Sequence, residues 1–194
     1  SGLFFLALQN ITNSSWMRTY QRIPQAMLSF LPIGLGLMLL TYFGFHTLYE
    51  WTHDSVRLHD PVIMKKTLYL NTSFFLVRMI VFFALWIAFG FVISTLTDRW
   101  TKAKPYPEQA ALIAKCSALF MVVFALSFSF ASYDWIMSIE PHWFSTIFSV
   151  YTFSGLFVGG IAFITLALIV LRAQGYLVNY VTDDHLHDLG KWMF

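Results

Sequence analysis

A chain of 194 residues that is 58% hydrophobic and only 11% charged, with a mean hydropathy of +0.64, falls well short of the roughly 25% charge typical of soluble domains. The Lys and Arg residues behind its net charge of +2 are scattered, which argues against a nucleic-acid partner. Its single cysteine, Cys116, excludes an internal disulfide, a thiolate metal cage and a cysteine-ligated iron–sulfur cluster.

Apolar runs long enough to cross about 30 Å of hydrocarbon need roughly 20 residues. Four complete candidates follow in chain order, at about residues 23–49, 72–96, 112–133 and 144–171. A fifth run ends near Leu8 and a sixth begins near Leu189, so the chain reads as a single transmembrane domain, a piece of a longer polytopic subunit. None of the runs alternates as a barrel strand does, and a spanning segment must satisfy its own backbone. The expected fold is therefore an all-α integral membrane protein, a polytopic helix bundle. In the first run Pro32 predicts a kink.

Positive residues near the span ends set orientation. Arg18, Arg22, Arg99, Lys102, Lys104, Lys115, Arg172 and Lys191 fall on the side of residues 9–22, 97–111 and 172–191, whereas only Arg57, Lys65 and Lys66 fall with residues 50–71 and 134–143. The first set is thus predicted to be cytoplasmic and the second external, periplasmic in a Gram-negative cell. Trp16, Tyr49, Trp51, Trp100, Tyr106, Trp135, Trp143 and Tyr176 fall at predicted span ends, as interfacial aromatics do. Gly155 and Gly159 in the fourth run, and Ala84 and Ala88 in the second, have the small-xxx-small spacing of close helix contacts.

Few groups inside this frame can carry chemistry. Arg78 lies about 9 Å inside the second run at 1.5 Å per residue, and admits two readings: a charge paired in the bundle interior, or one that snorkels to the interface. His46, Tyr49, Glu50 and His53 stand where the first run reaches the outer surface. His46 and Glu50, spaced i and i+4, would share a helix face. The stretch DWIMSIEPHWFST, residues 134–146, holds Asp134, Glu140 and His142 and no Lys or Arg. Pro141 should stop any helix there, and Ser145 or Thr146 is a candidate cap for the next. Carboxylates at a membrane edge without cationic neighbours in sequence should have raised proton affinity if buried and could then exchange protons near neutral pH, as quinol oxidation or a proton exit requires. A solvated acidic turn has the same spacing. Only His46 lies in a span, which argues against a bis-histidine haem, and no metal site is assigned.

The stretch DWIMSIEPHWFST resembles a signature of the membrane subunits of bacterial alternative complex III, a quinol:cytochrome c oxidoreductase. The likeness continues through LYEWTH (residues 48–53), KTLYLNTSFFLVR (66–78), GYLVN (175–179) and HLHDLGKWMF (185–194), and it points to the ActF-like type, similar to the NrfD or polysulfide-reductase family. The resemblance implies a bacterial inner-membrane subunit that contributes to menaquinol binding or to proton translocation. It further implies haem c and iron–sulfur clusters in partner subunits: a multihaem cytochrome c, an iron–sulfur protein and a second NrfD-like membrane subunit. Asp134, Glu140 and His142, with Arg78, His46, Tyr49 and Glu50 beside them, are the quinone or proton-path candidates it suggests. A structural anchor of the same complex and a secondary transporter, whose mark is a broken helix at the midplane, remain the alternative readings.

Overall fold

The structure, a computed structural model, describes residues 1–14, 19–102 and 107–194, with side chains for 1–14, 19–99 and 108–194. Among these residues the chain is helical throughout, without strands, and four helical segments are long and apolar enough to span a membrane. It is a multi-pass, all-α bundle.

Helix α1 (Gly2–Ile11) is short and apolar. The first span runs Arg22–Leu48 as a broken series: α2 (Arg22–Met27), α3 (Phe30–Leu40), a single 3-10 turn and α4 (Phe45–Leu48). The break at residues 28–29 has a local cause. Pro32 has no N–H to give the Leu28 carbonyl, which accepts instead from Leu31 at 3.0 Å. Short helices α5 (Asp54–His59) and α6 (Pro61–Lys66) follow, then the long α7 (Thr72–Lys102), α8 (Pro107–Trp135) and α9 (Phe148–Ala173), and finally α10 (Asp183–Lys191).

Helix α8 is the centre: α1, α7 and α9 all pack on it, and α3 lies along α7. The core at these contacts is aromatic, with Phe120, Phe124, Phe82, Phe83 and Trp86 buried. Trp86 Nε1 donates to Ser127 Oγ at 2.8 Å, and Ser127 passes the bond to the Val123 carbonyl at 2.7 Å. A buried indole N–H needs such an acceptor. Gly2 admits α2 closely, since a Cβ there would lie 2.8 Å from Met27 Cβ and 2.9 Å from the Pro24 carbonyl.

Several local expectations change. Gly155 and Gly159 have nothing near them among the described residues, and Ala84 and Ala88 are exposed. The buried seam of α9 runs instead through Gly160, Ile161, Ile164 and Leu168. Helix α8 stops at Trp135, well before Pro141, because Ser138 Oγ takes the Asp134 carbonyl and the chain tightens into a 3-10 turn. Neither Ser145 nor Thr146 caps α9, which opens at Phe148 after Ile147; the Thr146 carbonyl accepts from the Tyr133 hydroxyl at 2.9 Å. A short polar helix, α10, begins at Asp183, with the Thr182 N–H donating to His185 Nδ1 at 3.2 Å. Trp16, Arg18, Lys104 and Tyr106 lie outside the described residues, as do the side chains of Trp100 and Lys102.

Candidate functional site: a buried ion pair at one end of the bundle

Asn71 begins α7 by accepting the Phe74 N–H on Oδ1 at 2.8 Å, as a capping amide does. Nearly two turns further on, Arg78 points into the bundle, 8% exposed. Asp134, in the last turn of α8, is fully buried. The two meet in a bidentate pair: Arg78 Nε donates to Asp134 Oδ2 at 2.6 Å and a terminal nitrogen to Oδ1 at 3.1 Å. This fork is the strongest geometry an arginine and a carboxylate can adopt.

Tyr69 completes the arrangement from the turn before α7. Its carbonyl accepts the remaining guanidinium nitrogen of Arg78 at 3.2 Å, and its phenol lies near enough to Asp134 to feel that charge. The guanidinium carbon lies 4.0 Å from the centre of the Tyr69 ring and 4.1 Å from that of Phe74, a cation–π arrangement. Burial, with the Asp134 charge beside it, pushes the Tyr69 phenol well above its ordinary range. Arg78 thus faces the interior rather than the interface. The stretch itself carries no cation, and the partner of Asp134 comes from 56 residues away in the chain.

The C-terminal end of the first span is tied to the same turn. The buried Tyr49 hydroxyl donates to the Trp135 carbonyl at 3.0 Å, and Trp51 Nε1 to the Ser138 carbonyl at 3.1 Å. Phe45, Tyr49, Trp51 and Phe75 pack as one ring cluster, with centroids 4.7–6.0 Å apart. His46 and Glu50 do not share a helix face, because α4 ends at Leu48 and Tyr49 is extended (φ −117°, ψ 104°). His46 turns to Thr52, at 3.1 Å, and to His53, whose ring centre lies 5.3 Å away. Both His46 and Glu50 are exposed.

Outside this layer, His142 Nε2 binds Asp60 Oδ2 at 2.5 Å, and His142 Nδ1 lies 3.6 Å from Glu140. Asp60 uses its other oxygen to cap α6, accepting from Val62 at 2.8 Å and Ile63 at 3.2 Å. The hydrogen bond from His142 holds the Asp60 carboxyl below its ordinary value, those two amides adding to the effect. The hydrogen bond to Asp60, then the negative charge of Asp60, Glu140 and Glu50, raises the His142 imidazolium above its usual value. Lys66 Nζ donates to the Pro141 carbonyl at 2.6 Å, so α6 and the 140–143 turn are held by two contacts.

A cavity of about 460 Å³ opens beside this layer, between α6, the end of α8 and the 137–144 turn. Residues 50–71 and 134–143 therefore share one end of the bundle. Residues 9–14, 19–22, 97–99 and 172–191 share the other, through Asn10 with Thr97, Arg22 with Asp98, and Tyr20 with His185.

Of the seven candidate residues, Asp134, Arg78 and Tyr49 are buried in one polar layer, while Glu140, His142, His46 and Glu50 surround it on the exposed side. Sequence reasoning passed over Tyr69, Asp60 and Lys66. The Asp60–Pro61 step is a readable signal, since Asp before a proline at the first helical position marks a helix start. Tyr69 carries no such signal. No family model matches the chain, and no curated protein matches it either, so the geometry stands alone as a guide to chemistry.

Proposed function

We propose that the chain is a membrane subunit of a bacterial quinol:cytochrome c oxidoreductase of the alternative complex III type, and that the Arg78–Asp134–Tyr69 layer handles protons released when menaquinol is oxidised. The observation that carries this reading is the ion pair itself. A bilayer-spanning bundle bears a large cost for two buried charges, and this pair stands at the end where Glu140, His142, Glu50 and His46 collect in reach of water.

Oxidation of a quinol yields a quinone, two electrons and two protons. In this reading the electrons leave through haem c and iron–sulfur clusters of partner subunits. The protons leave past Asp134 to the exposed carboxylates and histidine, on the periplasmic side of the inner membrane. Arg78 holds the Asp134 side chain fixed, and Tyr69, beside it, is the neutral group through which a proton is handed on.

The bidentate closure of the pair also favours a second reading, a purely structural pin in the membrane anchor of the same complex. The assembled complex carrying Asp134→Asn separates the two. Turnover lost with subunits and haem content intact supports proton handling; unchanged quinol oxidation would leave only the anchor. The breaks in the first span lie at residues 28–29 and 41–44, towards its ends, which gives the transporter reading no midplane site.

A further inference from the structure

The cavity beside Tyr69 has a chemistry that proton handling does not use. Lys65 and Lys66 stand on its rim and no carboxylate lines it. The acids nearby are engaged elsewhere, Asp134 by Arg78 and Asp60 by His142. Lys65 has no ion pair among the described residues. Lys66 has no carboxylate partner there either, and its one hydrogen bond, to the Pro141 carbonyl, leaves two ammonium donors over. Tyr69, Tyr133, Ser138 and Trp143 add neutral polar groups to the lining, and Phe130 and Phe144 are among its apolar residues.

The cavity continues into an exposed track. Leu119, Val122, Leu126 and Phe130 are all exposed and, with Tyr133, follow one another at three- and four-residue steps on a single face of α8. From Leu119 to Tyr133 the track spans about 21 Å at 1.5 Å per residue, more than the ~15 Å of one hydrocarbon leaflet. Two uncompensated ammonium groups at the mouth and an apolar rail below match an amphiphile with an anionic head. Basic pockets against transmembrane helices recognise lipid headgroups in this way.

We infer that this cavity binds an anionic phospholipid, its phosphate between Lys65 and Lys66 and one acyl chain along the Phe130–Leu119 face of α8. A choline or ethanolamine head would bring a cation that finds no acidic side chain in the lining, and the neutral ring of a quinol would leave both lysines uncompensated. The inference is independent of the proton-handling role of Asp134.

The test uses the protein purified in its native assembly in mild detergent, with bound lipid read by native mass spectrometry. Phosphatidylglycerol should be retained roughly tenfold or more over phosphatidylcholine. That preference should vanish in the Lys65→Gln/Lys66→Gln double variant and survive in Lys65→Arg/Lys66→Arg. A photoreactive acyl chain on phosphatidylglycerol should label the wild-type protein at or beside Phe130, a readout that needs no variant. Equal retention of both lipids, displacement by inorganic phosphate alone, displacement by menaquinone, or labelling only away from α8 would each overturn the inference.

Discussion

The two ends of the bundle solve the same problem in opposite ways. Where residues 50–71 and 134–143 meet, the charges are inside: Arg78 and Asp134 are buried together and Tyr69 closes over them. At the other end the buried polar side chains among the described residues are neutral. Asn10 Nδ2 reaches Thr97 and Ser117 at 3.4 Å each, and Gln9 and Gln21 are buried beside a cavity of about 230 Å³. The ion pairs described there, Arg22 with Asp98, Arg172 with Asp183 and Lys191 with Asp188, lie on the rim. A neutral amide loses a few kcal/mol when buried without partners, about 1–3 by mutational data, whereas a lone buried charge costs several more. Among the described residues one end thus buries neutral groups where the other buries a charged pair, and the cost of that pair calls for a reason beyond closure.

The largest effect should come from breaking that pair on one side only. Asp134→Leu leaves a buried guanidinium without its carboxylate and should destabilise the fold by about 3–5 kcal/mol. Arg78→Leu leaves the mirror problem. The double variant Arg78→Leu/Asp134→Leu should recover most of that loss, since an ion pair replaced by apolar side chains is often neutral in stability. Unfolding in detergent by denaturant titration measures all three. A double variant that is stable but no longer oxidises quinol in the assembled complex would assign the pair to chemistry; one that is stable and active would reduce it to a pin.

A smaller change sharpens the same point. Tyr69→Phe keeps the ring against Arg78 and removes only the hydroxyl, so no more than about 0.5–1.5 kcal/mol of stability should go. If Tyr69 passes protons, turnover should fall by far more than that loss explains. Trp51→Phe removes a buried hydrogen bond at the same end, to the Ser138 carbonyl, yet should leave turnover unchanged. The two variants compared in one assay separate proton handling from local stability.

The spans were legible because hydropathy and length suffice for them; the polar layer was not, for reasons that differ residue by residue. Arg78 could be read as costly in its position, but its choice between interior and interface depends on a carboxylate on another helix, which no local pattern encodes. His46 and Glu50 were misplaced because i,i+4 spacing speaks only while the helix continues, and it stops at Leu48. Gly155 and Gly159 have the right spacing for a close contact, yet α9 turns Gly160 to its neighbours, one residue and about 100° round the helix. The grouping of residues 50–71 with 134–143 needed only the count of spans between them.

The clasp outside the buried pair makes a prediction in pH. His142 is raised by its bond to Asp60, so its contribution is complete below the ordinary histidine value of about 6.5 and is lost as pH rises through the raised value. Asp60 is lowered, so its contribution is complete above about 3.9 and is lost as pH falls through the lowered value. The clasp is therefore whole from about pH 4 to 6.5. A wild-type melting temperature followed from pH 6 to 9 should decline relative to His142→Gln, the two curves converging at alkaline pH. Parallel curves would show that the pair does not hold α6 to the 140–143 turn.

The smallest effect belongs to the opposite end. Arg172 reaches Asp183 across the turn that joins α9 to α10, but Asp183 is 89% exposed, and water and salt screen such a pair. Arg172→Gln should change stability by no more than about 0.5 kcal/mol, and raising the salt concentration should erase even that. Measured beside Asp134→Leu in the same detergent, it calibrates what an arginine–carboxylate pair is worth when only its surroundings differ. A loss approaching that of Asp134→Leu would mean that α10 is held to the bundle mainly by charge, and the contrast between a charged interior at one end and a charged rim at the other would fail.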